Sequence, residues 1–275
     1  MATLIHPSTD EGYILNRDFL AATRLNSQHW LWRMDLGYNL HPSIAVPPQA
    51  NIAEIATGTG AWLLEVAREF PDSRCDGFDI SLQQAPQQTW LPDNVTMRTW
   101  DIYEPPPQDL VGKYDIVHIR LIALAVPNKD VTQVVKNASL LLKPRGWLQW
   151  DELDVTDTTI MHTAGETGKV DTVKKMDYLM KAHGSDEWVL KRPALMQELG
   201  GFAEIEQHRV QPAKSLLKFT MDNSLGSWQE IISNQPVGGE QRKMYEELAV
   251  GLAEEVREGA VHGVAKLVCV GRKAA

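Results

Sequence analysis

The chain has 275 residues, a length that fits one large α/β domain with insertions or one domain plus a cap, and its 43% hydrophobic and 23% charged residues are ordinary for a globular protein. Its net charge of −9, with no run of Lys or Arg, argues against a nucleic-acid partner, because an acidic surface repels a phosphate backbone. No stretch approaches about 18 uninterrupted apolar residues, the first residues lack the layout of a secretion signal, and Cys75 and Cys269 fall in predicted interior strands, so the expectation is a cytoplasmic protein with no membrane span and no disulfide.

Residues 8 to about 40 carry a helix-like apolar recurrence with no proline, and "HPSIAVPP" (41–48) breaks it. An alternation of strands and helices begins at 51. "NIAEIA" predicts a strand and "AWLLEVAREF" a helix. "SRCDGFDI" (73–80) and "NVTMRTWDI" (94–102) predict two more strands, each ending near an acid. "YDIVHIRLI" (114–122) is an apolar run of the kind buried on both faces of a sheet. The helix "KDVTQVVKNASLLLK" then leads through Pro144-Arg145-Gly146 to a fifth strand, "WLQWDEL". Such alternation means right-handed crossovers and a mostly parallel, Rossmann-like sheet.

The pattern then changes. Residues 154–192 carry a helical piece, "PALMQELGG" precedes a sixth strand at 202–210, residues 213–262 are mostly helical, and a last strand spans 263–273. The expected organisation is an N-terminal helical lid over 1–48 and a domain over 49–275 with cap insertions at about 153–192 and 213–262. The lid and the insertions are expected to pack together over the carboxyl ends of the strands, where open α/β sheets bind ligands.

The first strand joins its helix through Thr57-Gly58-Thr59-Gly60. Missing Cβ atoms let backbone approach a ligand, and free N–H groups at a helix start favour negative charge. A dinucleotide fingerprint beginning at Gly58 needs glycine at 63, and Leu63 stands there. Asp79 ends the second strand, where an acid can bond both hydroxyls of a ribose, and Asp101 ends the third. Glu54 precedes the glycines, and a carboxylate there suits a cationic ligand better than a pyrophosphate.

The series "EIATGTGAW", "GFDIS", "TWDIYE", "YDIVHIRLI" and "LLLKPRGWLQWDE" resembles the motif series of class I S-adenosylmethionine-dependent methyltransferases. The front end, from "GYILNRD" through "RLNSQHWLW" to "GYNLHPSI", resembles a fungal secondary-metabolite branch that includes relatives of the gliotoxin-pathway N-methyltransferase and the LaeA-like regulators. The resemblance implies a seven-stranded sheet, mostly parallel with an antiparallel last strand, and S-adenosyl-L-methionine as cofactor, with S-adenosyl-L-homocysteine as product. It implies that Glu54 and the turn Ala56, Thr57, Gly58, Thr59 and Gly60 cradle the methionine part. Asp79 would hold the ribose, Ile80 would pack on the adenine, and Asp101 with the backbone of Ile102 would read its edge. The backbone at Ile119 and Arg120 would border the sulfonium side, and Tyr13 and Arg24 could close the lid over the cofactor or simply pack it. Ala56 departs from the glycine common at that position and is tolerated there if its φ is negative.

Methyl transfer is an in-line displacement in which the protein mainly aligns donor and acceptor, and a base is needed only where the acceptor must lose a proton. His29, His118 and His162 are base candidates, each with a packing role as the alternative. Asp151 and Glu152, at the end of the fifth strand, are placed to bind a substrate amine or to form part of an acidic rim. No His/Cys cluster has metal-binding spacing. Nine tryptophans outnumber five phenylalanines, and Trp30, Trp32, Trp188 and Trp228 fall outside the predicted strands. They either plug helix packing or, in the case of Trp30, Trp188 and Trp228, wall a pocket for an aromatic or polycyclic acceptor. The expected activity is methyl transfer to an O or N atom of such a small molecule. The alternatives are a cyclisation or rearrangement in the same cavity, or a regulatory role like that of the LaeA relatives.

Overall fold

The computed structural model describes residues 15–126, 130–184 and 187–275. Seven strands form one sheet: β1 (Asn51–Ile55), β2 (Arg74–Asp79), β3 (Val95–Thr99), β4 (Tyr114–Arg120), β5 (Leu142–His162), β6 (Phe202–Val210) and β7 (Ala260–Lys273). Their order is β3-β2-β1-β4-β5-β7-β6. β3, β2, β1, β4 and β5 pair in parallel, and β6 pairs with β7 antiparallel. The strand order reverses between β1 and β4, which is where such sheets leave a crevice at their carboxyl ends.

The chain divides into two compact units. The sheet unit takes Leu36–Leu153, Asp186–Val210 and Lys266–Ala275. Successive strand residues point to opposite faces, and both faces are apolar. On one, Ile55, Phe78, Val117, Ile119 and Trp150 pack with Val134 and Ala138 of α3 (Thr132–Leu141) and with Trp188 and Met196 of α5 (Glu187–Gly200). On the other, Ile52, Ile116, Val268 and Val270 pack with Trp62, Leu63 and Val66 of α2 (Ala61–Glu69) and with Leu40 and Ile44.

The helical unit takes the segment up to Asp35 together with Asp154–Ser185 and Gln211–Ala265. It contains α1 (Phe19–Leu36, all but its last residue), α4 (Asp171–Gly184), α6 (Leu217–Ser233) and α7 (Glu240–Glu258). Val173, Met176, Met221, Leu248 and Leu252 form its core. Arg24 and Glu230, both buried, pair at 2.5 Å and tie α1 to α6. The segments that break the strand–helix alternation are thus the ones that pack on one another.

Several boundaries differ from expectation. The first predicted helix covers only Phe19–Leu36 among the described residues, with Asp18 Oδ1 capping its start by accepting from the Ala21 N–H at 2.9 Å. Residues 36–48 belong to the sheet unit and not to a lid, because Leu40 and Ile44 are buried against β1 and α2. β5 runs to His162, nine residues past the predicted end. β3 stops at Thr99, so Asp101 and Ile102 lie in the turn that follows, and β4 stops at Arg120. β6 has the expected bounds.

Candidate cofactor site at the strand ends

The turn after β1 winds through the left-handed region at every second residue: Ala56 (φ 55°), Gly58 (φ 55°) and Gly60 (φ 74°). A side chain at Gly60 would also displace the end of the Met97 side chain. Ala56 is therefore in the conformation that glycine adopts freely and an L-residue adopts at a cost, and the condition of a negative φ is not met. Its side chain is exposed. The turn is pinned from three sides. Thr57 N–H donates to the Phe78 carbonyl at 3.0 Å, Thr57 Oγ1 donates to Glu54 Oε2 at 2.5 Å, and Gly58 N–H donates to Asp79 Oδ2 at 2.8 Å.

Asp79 also accepts from Ser81 N–H at 3.1 Å, so each of its oxygens holds one backbone donor. Ile80 stands beside it with half its surface exposed, an apolar side chain open to a planar ligand. Asp101 caps its own turn by accepting from Tyr103 N–H at 2.9 Å. The Ile102 carbonyl is taken by Asn137 Nδ2. Ile119 is fully buried in the core, so only its backbone could face a ligand. Leu121, directly after β4, is also left-handed, at φ 56°.

A polar row crosses the sheet beside this turn. Glu54, His118 and Gln149 are in register on β1, β4 and β5, and Arg120 is in register with Asp151. His118 is wholly buried and stacks on Trp62 at 3.8 Å between ring centroids. Its Nε2 lies 3.1 Å from Asp151 Oδ2, and its Nδ1 lies 3.6 Å from Glu54 Oε1. Gln149 Nε2 donates to Asp151 Oδ2 at 3.0 Å and to the Asn39 carbonyl at 3.1 Å. Asp151 is 1% exposed, and its Oδ1 has no hydrogen-bond partner among the described residues. The Arg120 guanidinium faces the charges of Glu54, Asp151 and Glu65. Burial, and then the charge of Asp151, pushes the Tyr38 phenol up to about 12, so it stays a proton donor at neutral pH.

Glu152 points to the opposite face, where burial pushes its carboxyl up to about 7 against the pull of Arg192. It accepts from Ile122 N–H at 2.9 Å and Trp150 Nε1 at 3.2 Å and is enclosed in the core.

The remaining expected site residues do not gather here. Tyr13 lies outside the described residues. His29 is half-buried on α1 in the helical unit. His162 is the last residue of β5 and not a loop residue. Its Nδ1 accepts from Ala164 N–H at 2.9 Å and its Nε2 is buried, so the ring has no exposed lone pair with which to act as a base. Trp188 is 6% exposed and packs on Trp150, which makes it a core side chain and not a pocket wall. Trp228 is half-buried against the core of the helical unit and meets Tyr245 edge-on. Trp30 alone of the three is exposed, at 47%. It meets Phe219 edge-on beside a cavity of about 490 Å³ between α1 and α6.

Sequence reasoning missed Tyr38, Trp62 and Gln149. Gln149 had a signal: in "WLQWDE" it shares a strand face with Asp151, and a glutamine inside a buried strand needs partners.

The residues present suit an adenosine cofactor with a cationic sulfonium. The turn leaves no side chain at Gly58 or Gly60, and acids stand at the ends of β1 and β2 and just past β3. Residues 53–148 match the family model of a methyltransferase domain. The chain is 35% identical over 173 residues to methyltransferase grgD of a Penicillium species, covering 58% of this chain and 56% of that one. It is 28% identical over 148 residues to N-methyltransferase gliN of Aspergillus fumigatus, covering 53% and 52%. The chain thus spans about half the length of these curated relatives. In fold it is similar to phosphoethanolamine N-methyltransferase 2 of Haemonchus contortus in complex with S-adenosyl-L-methionine, with a TM-score of 0.54 at 16% identity over 92% of this chain and 57% of that one. Matched domain, relatives and strand order agree on a methyltransferase domain over residues 53–148, in a chain similar to fungal methyltransferases.

Proposed function

We propose that the chain transfers a methyl group from S-adenosyl-L-methionine to an N or O atom of a small-molecule acceptor, in the cytoplasm. The observation that carries this is the convergence of Glu54, the left-handed turn and Asp79 at the point where the strand order reverses. Glu54 and the turn would receive the methionine end, Asp79 the ribose hydroxyls, Ile80 and the Asp101 turn the adenine, and the backbone at Ile119 and Arg120 the sulfonium side. The cofactor, when bound, supplies an electrophilic methyl group. Asp151 would act from behind the acceptor, by holding His118 and Gln149 of the polar row in place, because its own carboxylate is buried. An amine acceptor reacts as its free base and needs no further proton transfer. Trp30 and Phe219 would suit a planar ring in the cavity they border within the helical unit, which is of small-molecule size. The two buried, unpaired thiols support the cytoplasmic assignment.

Titration calorimetry tests the cofactor. The protein should bind S-adenosylmethionine and S-adenosylhomocysteine, and Asp79→Ala should weaken both by about 1–3 kcal/mol, the scale of hydrogen bonds to a charged acceptor. No heat with either ligand would sink the assignment. Transfer of a labelled methyl group from the cofactor into a metabolite extract tests the reaction.

A further inference from the structure

We propose that His118 is a positioning residue of the cofactor site: it links the Glu54 carboxylate on β1 to the Asp151 carboxylate on β5 and so sets where Glu54 stands. The proposal rests on Glu54 lying at the cofactor, as proposed above.

Every side of the imidazole but one is held. Its face lies on Trp62, with the ring planes only 11° apart, and that indole is itself fixed by donating to the Asn39 carbonyl at 3.2 Å. Its Nε2 meets Asp151 Oδ2 at 3.1 Å. Asp151 cannot shift to follow it, because Gln149 donates to the same oxygen and is held in turn by the Asn39 carbonyl and by His41 N–H, which donates to Gln149 Oε1 at 2.8 Å. The remaining atom, Nδ1, faces Glu54 Oε1 at 3.6 Å and has no hydrogen-bond partner among the described residues. The other oxygen of Glu54 takes the hydroxyl of Thr57, inside the left-handed turn. Glu54 therefore stands between the turn and the histidine edge.

A packing role does not account for this arrangement. Leaving a ring nitrogen buried without a partner is unfavourable, and an apolar ring would stack on Trp62 equally well. Two buried carboxylates on the strands that flank β4 repel each other unless something polar separates them, and His118 of β4 occupies that position. Arg120 faces the same two carboxylates from the same strand.

A double-mutant cycle tests the link, with S-adenosylmethionine and S-adenosylhomocysteine as calorimetric probes. The variants are Glu54→Gln, His118→Phe and the two combined, each measured below its melting temperature, with far-UV circular dichroism confirming the fold. His118→Gln replaces His118→Phe in the cycle if the latter does not fold. Removing His118 should weaken cofactor binding at least about fivefold in the Glu54 background and change it little once Glu54 is gone, the non-additivity of residues acting as a unit. Equal losses from the His118 change in both backgrounds, or wild-type affinity in a folded His118 variant, would overturn the proposal while leaving the cofactor assignment intact. Failure of the wild-type protein to bind either probe would overturn both.

Discussion

Ala56 offers the sharpest test of how the glycine turn is built. Its φ of 55° lies in the left-handed region, where an L-residue is disfavoured by roughly 1–2 kcal/mol because Cβ crowds the carbonyl. Replacing it with glycine removes that strain but adds freedom to the unfolded chain, a loss of about 0.5–1 kcal/mol. The Ala56 methyl group is exposed, so little packing is forfeited. The net expectation for Ala56→Gly is a stabilisation of about 0.5–1 kcal/mol, seen as a melting temperature higher by roughly 1–4 °C. Ala56→Val should lose at least about 1 kcal/mol, since a β-branched residue suits this region still less. Leu121→Gly is the contrast: φ is also positive there, but its partly buried side chain would be lost, so no gain is expected. Chemical denaturation monitored by fluorescence measures all three. If Ala56→Gly destabilises the protein by more than about 0.5 kcal/mol, the backbone argument is wrong.

Further outcomes follow from groups whose surroundings are well defined. Asp76 is buried, which pushes its carboxyl up, but hydrogen bonds from Lys113, Thr96 and Tyr114 outweigh burial and hold it below the usual range. Its contribution is therefore present above the unfolded carboxylate value, about pH 4, and lost as pH falls through the lower folded value. Asp76→Asn should cost about 1–3 kcal/mol near neutrality, and urea titrations should show the gap to wild type closing in acid. Glu230→Ala should cost about 3–5 kcal/mol, because it leaves Arg24 charged and buried, and an Arg24→Met/Glu230→Leu pair should recover most of that loss. Trp188→Ala should cost about 3–5 kcal/mol as a core deletion, whereas Trp30→Ala should cost less than about 1 kcal/mol; equal effects on thermal stability would contradict the placement of the two rings.

The features legible in the sequence are those encoded over short distances. The strand "NIAEIA", its glycine turn and the helix that follows form one continuous stretch, so periodicity and turn chemistry display them directly. The acids at the ends of β1 and β2 were visible for the same reason, as was the full extent of β6. β5 extends nine residues beyond "WLQWDEL", through a stretch whose Val, Thr and Ile side chains suit a strand but show no clean alternation. The conformation of Ala56 was not legible: a residue's identity restricts φ without choosing it, and here the closure of the turn onto Phe78 and Asp79 chose it. Nor could composition say that Trp188 belongs to the core while Trp30 faces solvent, since a large ring serves either purpose. The grouping of Glu54, His118 and Asp151 was beyond any local pattern. Their sequence separations run to tens of residues, and only the parallel register of β1, β4 and β5 brings them side by side, so that a histidine that could be mere packing becomes the contact between two buried carboxylates.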